Sequence, residues 1–132
     1  LGGRAATLQQ LARVAERRGD RTAALAHLQD ALTLHRRAYG EGVPHVNVAA
    51  VLSQLANLAP PAEAPSFLHE ALAMRRQIYA GGDHAEIALN LGKLGEAERA
   101  RGCLAGAREH FASQRAMLER LILTDGADAG GP

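Results

Sequence analysis

Residues 24–39 read Ala-Leu-Ala-His-Leu-Gln-Asp-Ala-Leu-Thr-Leu-His-Arg-Arg-Ala-Tyr, and residues 64–79 read Ala-Pro-Ser-Phe-Leu-His-Glu-Ala-Leu-Ala-Met-Arg-Arg-Gln-Ile-Tyr. Both stretches place a small residue first (Ala24, Ala64), a large apolar one a turn later (Leu28, Leu68), then Ala on the same face (Ala31, Ala71). Eight residues further on each ends in a tyrosine, Tyr39 or Tyr79. Spacings of four and three are those of a helix, not a strand. A looser third copy runs through Ala107, Phe111, Gln114 and Ile122. Alternating with these is a second pattern of two leucines and a small residue: Leu8, Leu11, Ala12; Leu52, Leu55, Ala56; Leu91, Leu94, Gly95. The two patterns alternate three times with a period of about forty residues, which marks an internal repeat. Six helices are therefore expected, at about 4–18, 21–38, 46–59, 65–80, 84–101 and 104–123. They pair into three hairpins over about 5–40, 46–80 and 84–123, within a single domain spanning 1–132.

The punctuation agrees. Gly19-Asp20 divides the first hairpin and Gly102 the third. Gly40, Gly42 and Pro44 separate the first hairpin from the second, and Gly81, Gly82 and Asp83 the second from the third. Ala12 to Ala24 is twelve residues, as is Gly95 to Ala107, whereas Ala56 to Ala64 is eight. The difference is close to one helical turn of ~3.6 residues, so the middle hairpin is shortened without rotating its apolar faces away from the core. Pro60, Pro61 and Pro65 sit at that shortened turn, where proline ends one helix and starts the next. Residues 124–132, rich in Gly and Asp, are expected to be a flexible tail.

Composition points the same way. The 132 residues suffice for one domain with a continuous core. Hydrophobic residues make up 47% but aromatics only 3%, and Trp is absent, so Ala and Leu supply the apolar mass and favour close helix–helix packing. No alternating β-branched run suggests a sheet. The net charge of +1 is unlike that of a protein living on phosphate backbones, so no nucleic-acid partner is expected. Residues 1–40 carry seven Arg against three acids and residues 81–132 six basic residues against eight acids, an asymmetry read as solvated helix faces. Cys103 stands alone, which rules out an intramolecular disulfide and suits a reducing compartment. No apolar run approaches the ~20 residues that cross a bilayer, and no basic-then-apolar leader opens the chain. A cytoplasmic protein with no membrane partner is the expectation.

Chemistry-bearing constellations are scarce. His45 and His84 occupy matching places before the first helices of the second and third hairpins, which implies a shared capping or covering role at the turn. His27 and His110 also match; His35 and His69 stand alone. No His pair has the i, i+4 spacing of a helical zinc motif. Glu96 and Glu98 are two apart on one helix and point in different directions. Cys103 near a helix start reads as a small packing residue rather than a lowered-pKa thiol. None of the glycine pairs has a phosphate-cradling context. The chain is expected to be no enzyme and to need no metal or cofactor.

The small residue after each leucine pair, with the Ala-x-x-x-apolar-x-x-Ala pattern, resembles the tetratricopeptide repeat, a helix-turn-helix unit. The stretches Ala31 to His45 and Ala71 to His84 are similar to the longer repeat of kinesin light chains. Gln114 departs from the expected small residue, and the third hairpin lacks Arg-x-x-Tyr. The resemblance covers about residues 5–123. It implies an all-α, right-handed superhelical solenoid of three hairpins whose first helices line a concave groove for an extended or helical peptide. It places Gln9, Gln10, Arg13, Arg17, Ser53, Gln54, Asn57, Lys93, Glu96 and Arg99 on that groove. Amides there can hold a peptide backbone, and Arg13 and Arg17 can clamp an acidic group. A non-catalytic adaptor is thus the expected function. The alternative is self-association or a regulatory segment of a larger protein, packing through the apolar end of the last helix, Met117, Leu118, Leu121, Ile122 and Leu123.

Overall fold

The computed structural model describes the backbone of residues 2–129 and the side chains of residues 3–124. Six helices follow one another: α1 (Gly2–Arg17), α2 (Arg21–Tyr39), α3 (Val46–Leu58), α4 (Ala64–Ile78), α5 (Ala85–Ala100) and α6 (Leu104–Ala129). No strand occurs among the described residues. Each helix packs chiefly on its neighbours in sequence, α1 on α2, α3 on α4, α5 on α6, with α2 on α3 and α4 on α5 joining the pairs. That is the contact pattern of a solenoid, in which every hairpin needs the next to cover its apolar face, and not of a bundle closed on itself.

The expected helix bounds hold to within two residues except at the end of α6. There the helix continues to Ala129 instead of giving way to a flexible tail at 124. Thr124 returns its hydroxyl to the Arg120 carbonyl at 2.9 Å, and Ala127 and Ala129 are strong helix formers that outweigh Asp125 and Gly126. Residues 130–132 of that expected tail lie outside the described residues.

The turns within hairpins one and three are closed alike. Gly19 and Gly102 take left-handed backbone, φ 78 and 81, which only glycine adopts without strain. The residue after each returns its N–H into the last turn of the helix, Asp20 to Ala15 at 2.8 Å and Cys103 to Glu98 at 2.8 Å. In the middle hairpin α3 ends at Leu58 and Pro65 sits in the first turn of α4, as the shortened spacing requires.

The joints between hairpins use one device twice. His45 and His84 are the N-caps of α3 and α5, each in extended backbone with ring Nδ1 accepting an N–H two residues on, Asn47 at 3.0 Å and Glu86 at 3.1 Å. Each ring stacks on the tyrosine that ends the preceding hairpin, His45 on Tyr39 at 3.6 Å and His84 on Tyr79 at 3.7 Å between centroids. The two tyrosine hydroxyls are tied to equivalent residues of the next helix: Tyr39 accepts from Asn47 at 3.0 Å, and Tyr79 donates to Glu86 at 2.6 Å. The matching histidines are therefore capping residues that also glue repeat to repeat. Replacing His84 by Ala should cost about 1–2 kcal/mol through loss of cap and stack together. His84→Asn keeps an acceptor at the cap and should recover part of that in a urea melt. An alanine variant as stable as wild type would show that the joint contributes nothing.

The interior follows the repeat pattern. Ala12, Ala24, Ala31, Ala56, Ala71 and Ala107 are all buried, as is Gly95, where an added Cβ would lie 2.8 Å from the Phe111 ring. Ala12 and Ala15 of α1 join leucines and valines of α2 and α3 and Ala71 and Met74 of α4 in one core cluster; a second runs from α3 to α5 with Met117 of α6 packed against it, and Phe67 touches both. At the far end the pattern changes: Arg115, ion-paired with Glu119 at 3.1 Å, stands where the first two hairpins bury Leu32 and Leu72.

Candidate functional site

One face is built from α1, α3 and α5, and polar side chains cross it from repeat to repeat. Gln9 Nε2 donates to Gln54 Oε1 at 3.2 Å, linking α1 to α3. Lys93 Nζ donates to Asn57 Oδ1 at 3.1 Å, linking α5 to α3. These contacts join sequence positions 36 and 45 residues apart, so they report the stacking of hairpins and not local helix geometry.

Two residues of the second helices reach into this face from behind. His35 of α2 is buried and directs Nε2 at Gln9 Oε1, 3.4 Å away. Burial, and then the neighbouring His45, lower its pKa below the usual 6.5, which favours the neutral ring that this contact uses. Arg75 of α4 stands at the equivalent position, four residues after the buried alanine. Its Nη1 donates to Ser53 Oγ at 2.8 Å and to Asn90 Oδ1 at 2.7 Å. Asn90 is only 1% exposed and is itself anchored by donating from Nδ2 to the Leu68 carbonyl at 3.0 Å. Burial lowers the Arg75 pKa, with Glu86 and Tyr79 acting in the opposite sense. Lys93 is lowered too, first by burial and then by the positive charge of Arg75, with Glu96 opposing. No buried side-chain nitrogen or oxygen lacks a partner among the described residues.

Three shallow cavities run along the face. The first, between α1 and α3, is lined by Gln9, Arg13, Glu16, Gln54 and Asn57 over an apolar floor of Ala12, Leu28 and Leu58. The second, about 180 Å³, is lined by Ser53, Arg75, Glu86, Leu89, Asn90 and Lys93. The third holds Asn57, Lys93 and Glu96 over Ala56, Pro61, Leu68 and Ala97. Seven of the ten residues placed on the groove by sequence thus line these cavities: Gln9, Arg13, Ser53, Gln54, Asn57, Lys93 and Glu96. Gln10 and Arg17 are exposed and line none of the three. Arg99 lies over the Phe111 ring of α6, 5.8 Å from its centroid, so its guanidinium is engaged at the α5–α6 contact.

His35, Arg75 and Asn90 were not read from the sequence as part of this face. A signal was present: a polar residue one turn beyond Ala31 and again beyond Ala71 sits on a buried helix face, where only a polar partner makes it tolerable. Asn90 likewise occupies the place of the buried Val51 in the preceding repeat.

Elsewhere, His110 of α6 pairs with Glu98 of α5, and His69 meets the His110 ring edge-on at 6.1 Å. Cys103 is exposed. Among the described residues no group of three or more His, Cys, Asp or Glu side chains is placed to hold a metal ion, and no helix is long and apolar enough to cross a membrane.

Residues 4–45, the first hairpin and its joint, match the tetratricopeptide repeat family. No curated protein matches the sequence. The fold is similar to that in the crystal structure of BtubC (BKLC) from P. vanneervenii, with a TM-score of 0.81 at 21% identity over 89% of this chain and 47% of that one. The chain therefore spans about half the length of BtubC, and the likeness is one of fold: a tetratricopeptide-like solenoid with six helices and no strand among the described residues.

Proposed function

We propose that this chain is a non-catalytic protein-interaction module that holds an extended or helical segment of a partner protein across α1, α3 and α5. The observation that carries this reading is the polar ladder from Gln9 through Gln54 to Asn57 and Lys93, which lays amides over the first two hairpins and a cation on the third. Amides satisfy a peptide backbone of any sequence, while cations add a preference for acidic residues. Glu16 and Glu96 interrupt the basic groups on this face, which supports a protein partner over a nucleic acid. The His45 and His84 joints and the long period support a kinesin light chain-type repeat, and the lone exposed cysteine suits a cytoplasmic setting.

The test is a peptide array probed with wild type and with a combined Arg13→Ala, Asn57→Ala, Lys93→Ala variant. Each truncation should weaken binding by about 0.5–2 kcal/mol, so the triple variant should lose most array signals. A second reading, self-association through α6, is favoured by Ile122 and Leu123, which are 68% and 72% exposed, beside the exposed Leu118. Unchanged peptide binding in the triple variant, together with a concentration-dependent dimer in light scattering that Ile122→Ser abolishes, would make that second reading the correct one.

A further inference from the structure

We propose that His69 of α4 and His110 of α6 form a two-histidine site for a borderline divalent cation such as Zn²⁺ or Cu²⁺, with Glu98 of α5 holding His110 in the ligating tautomer. None of the three belongs to the polar ladder described above. His110 Nδ1 faces two oxygens, one of the Glu98 carboxylate and, at 3.1 Å, the Gly106 carbonyl. Both oxygens are acceptors, so Nδ1 carries the ring proton and donates it. In the neutral ring the lone pair then sits on Nε2, the atom a metal takes, and Nε2 makes no hydrogen bond among the described residues. A carboxylate behind the ring also makes that imidazole a stronger ligand. His69 supplies the second ring. It is exposed on α4 and meets His110 edge-on, with centroids 6.1 Å apart. Two imidazoles on one tetrahedral ion, with metal–nitrogen bonds of about 2.0–2.1 Å, have centroids roughly 5 Å apart. A small rotation of the exposed His69 side chain covers the difference.

The other histidines are committed elsewhere. His45 and His84 spend Nδ1 on their helix caps, and His35 is buried against Gln9. His27 matches His110 in repeat register, but no second histidine is stacked on it or edge-on to it among the described residues. Two protein ligands leave the remaining coordination positions to water, in keeping with the lack of a third His, Cys, Asp or Glu in reach among the described residues. The ion is therefore an exchangeable clip and not one that the fold requires. Imidazole ligands select Zn²⁺, Ni²⁺ and Cu²⁺ and discriminate against Mg²⁺ and Ca²⁺, which take oxygen. Helices α4 and α6 belong to different hairpins and meet chiefly through α5. An ion bridging them fastens hairpin two to hairpin three, and it stabilises the stacked chain because the unfolded chain does not hold the two rings together.

The probes are ZnCl₂ and CuSO₄, added to the full chain without a histidine tag in a non-coordinating buffer at neutral pH, with MgCl₂ as the hard-ion control. Calorimetric titration should give one Zn²⁺ per chain. Thermal melts should rise by about 5 °C once free Zn²⁺ is roughly ten times its dissociation constant, and Mg²⁺ should move them by nothing. Electron paramagnetic resonance of the Cu²⁺ form should show coupling to two imidazole nitrogens. Both the melt shift and the nitrogen coupling should be lost in His69→Ala and in His110→Ala and be kept in His27→Ala. Glu98→Gln keeps an acceptor for Nδ1 but loses the charge, and should weaken Zn²⁺ about tenfold. His69→Ala alters an exposed side chain, so it keeps the test valid if His110→Ala unfolds. A melt that Zn²⁺ does not shift, a shift that survives His69→Ala, a shift lost in His27→Ala, or one ion shared by two chains overturns the site.

Discussion

Shortening Leu55 to alanine should remove about 2–5 kcal/mol of stability, the range for a large-to-small change in a packed core. Leu55 is 0% exposed, and the cluster around it draws Ala12 from α1, Leu28 and Leu32 from α2, and Ala71 and Met74 from α4. A void there is shared by hairpins one and two, and rigid helices on every side limit collapse into it. A solenoid is held together by neighbour contacts alone, so a weakened central interface is not rescued by long-range packing. Leu11 is the same residue one repeat earlier, yet it is 45% exposed, and Leu11→Ala should change stability by no more than about 0.5–1 kcal/mol. Urea denaturation of both variants checks the contrast. Equal losses would mean that the two leucines are equally buried and that the stacking order is wrong.

That contrast also shows what kind of information the sequence carried. Helix number, pairing and bounds were legible because they depend on local periodicity and on glycine and proline at fixed offsets, which act within a few residues. The capping role of His45 and His84 was legible for the same reason: a residue recurring at one place in a repeat does one job there. The end of α6 was misread because Asp125 and Gly126 look like a stop, whereas the alanines around them continue the helix.

The polar face of α1, α3 and α5 was legible in part. Residues on α1, α3 and α5 could be placed by register, and Gln9, Ser53, Gln54, Asn57 and Lys93 do join in bonds across it. Arg75 was invisible to that reasoning because it comes from the opposite helix of its hairpin and joins the face by donating to Ser53 and Asn90. Arg99 differs in the other direction: a helix-face count puts it among the groove residues, and the structure lays its guanidinium over the Phe111 ring one helix away. Both cases turn on contacts between helices, which periodicity along one helix does not encode.

Enlarging Ala71 to leucine should cost about 1–3 kcal/mol through overpacking, and the same leucine at position 114 should cost less than about 1 kcal/mol. Ala71 is 0% exposed and lies in the first core cluster, at the repeat position where the two helices of a hairpin approach. Its counterpart Ala31 is equally buried, so there too an added isobutyl group has no free volume. In the third hairpin the position is filled by Gln114, and the structure shows how the larger side chain is accommodated. Gly92 faces it from α5, where an added Cβ would lie 2.7 Å from the Gln114 Cδ. The corresponding residues of the earlier first helices are Gln9 and Ser53, so volume gained on one helix of the third hairpin is matched by volume surrendered on the other. Leu and Gln are of similar size, and Gln114→Leu asks for no new space. Thermal melts of Ala71→Leu and Gln114→Leu decide the matter. If both lower the midpoint equally, the third hairpin has not exchanged volume between its helices, and Gly92 is small for some other reason.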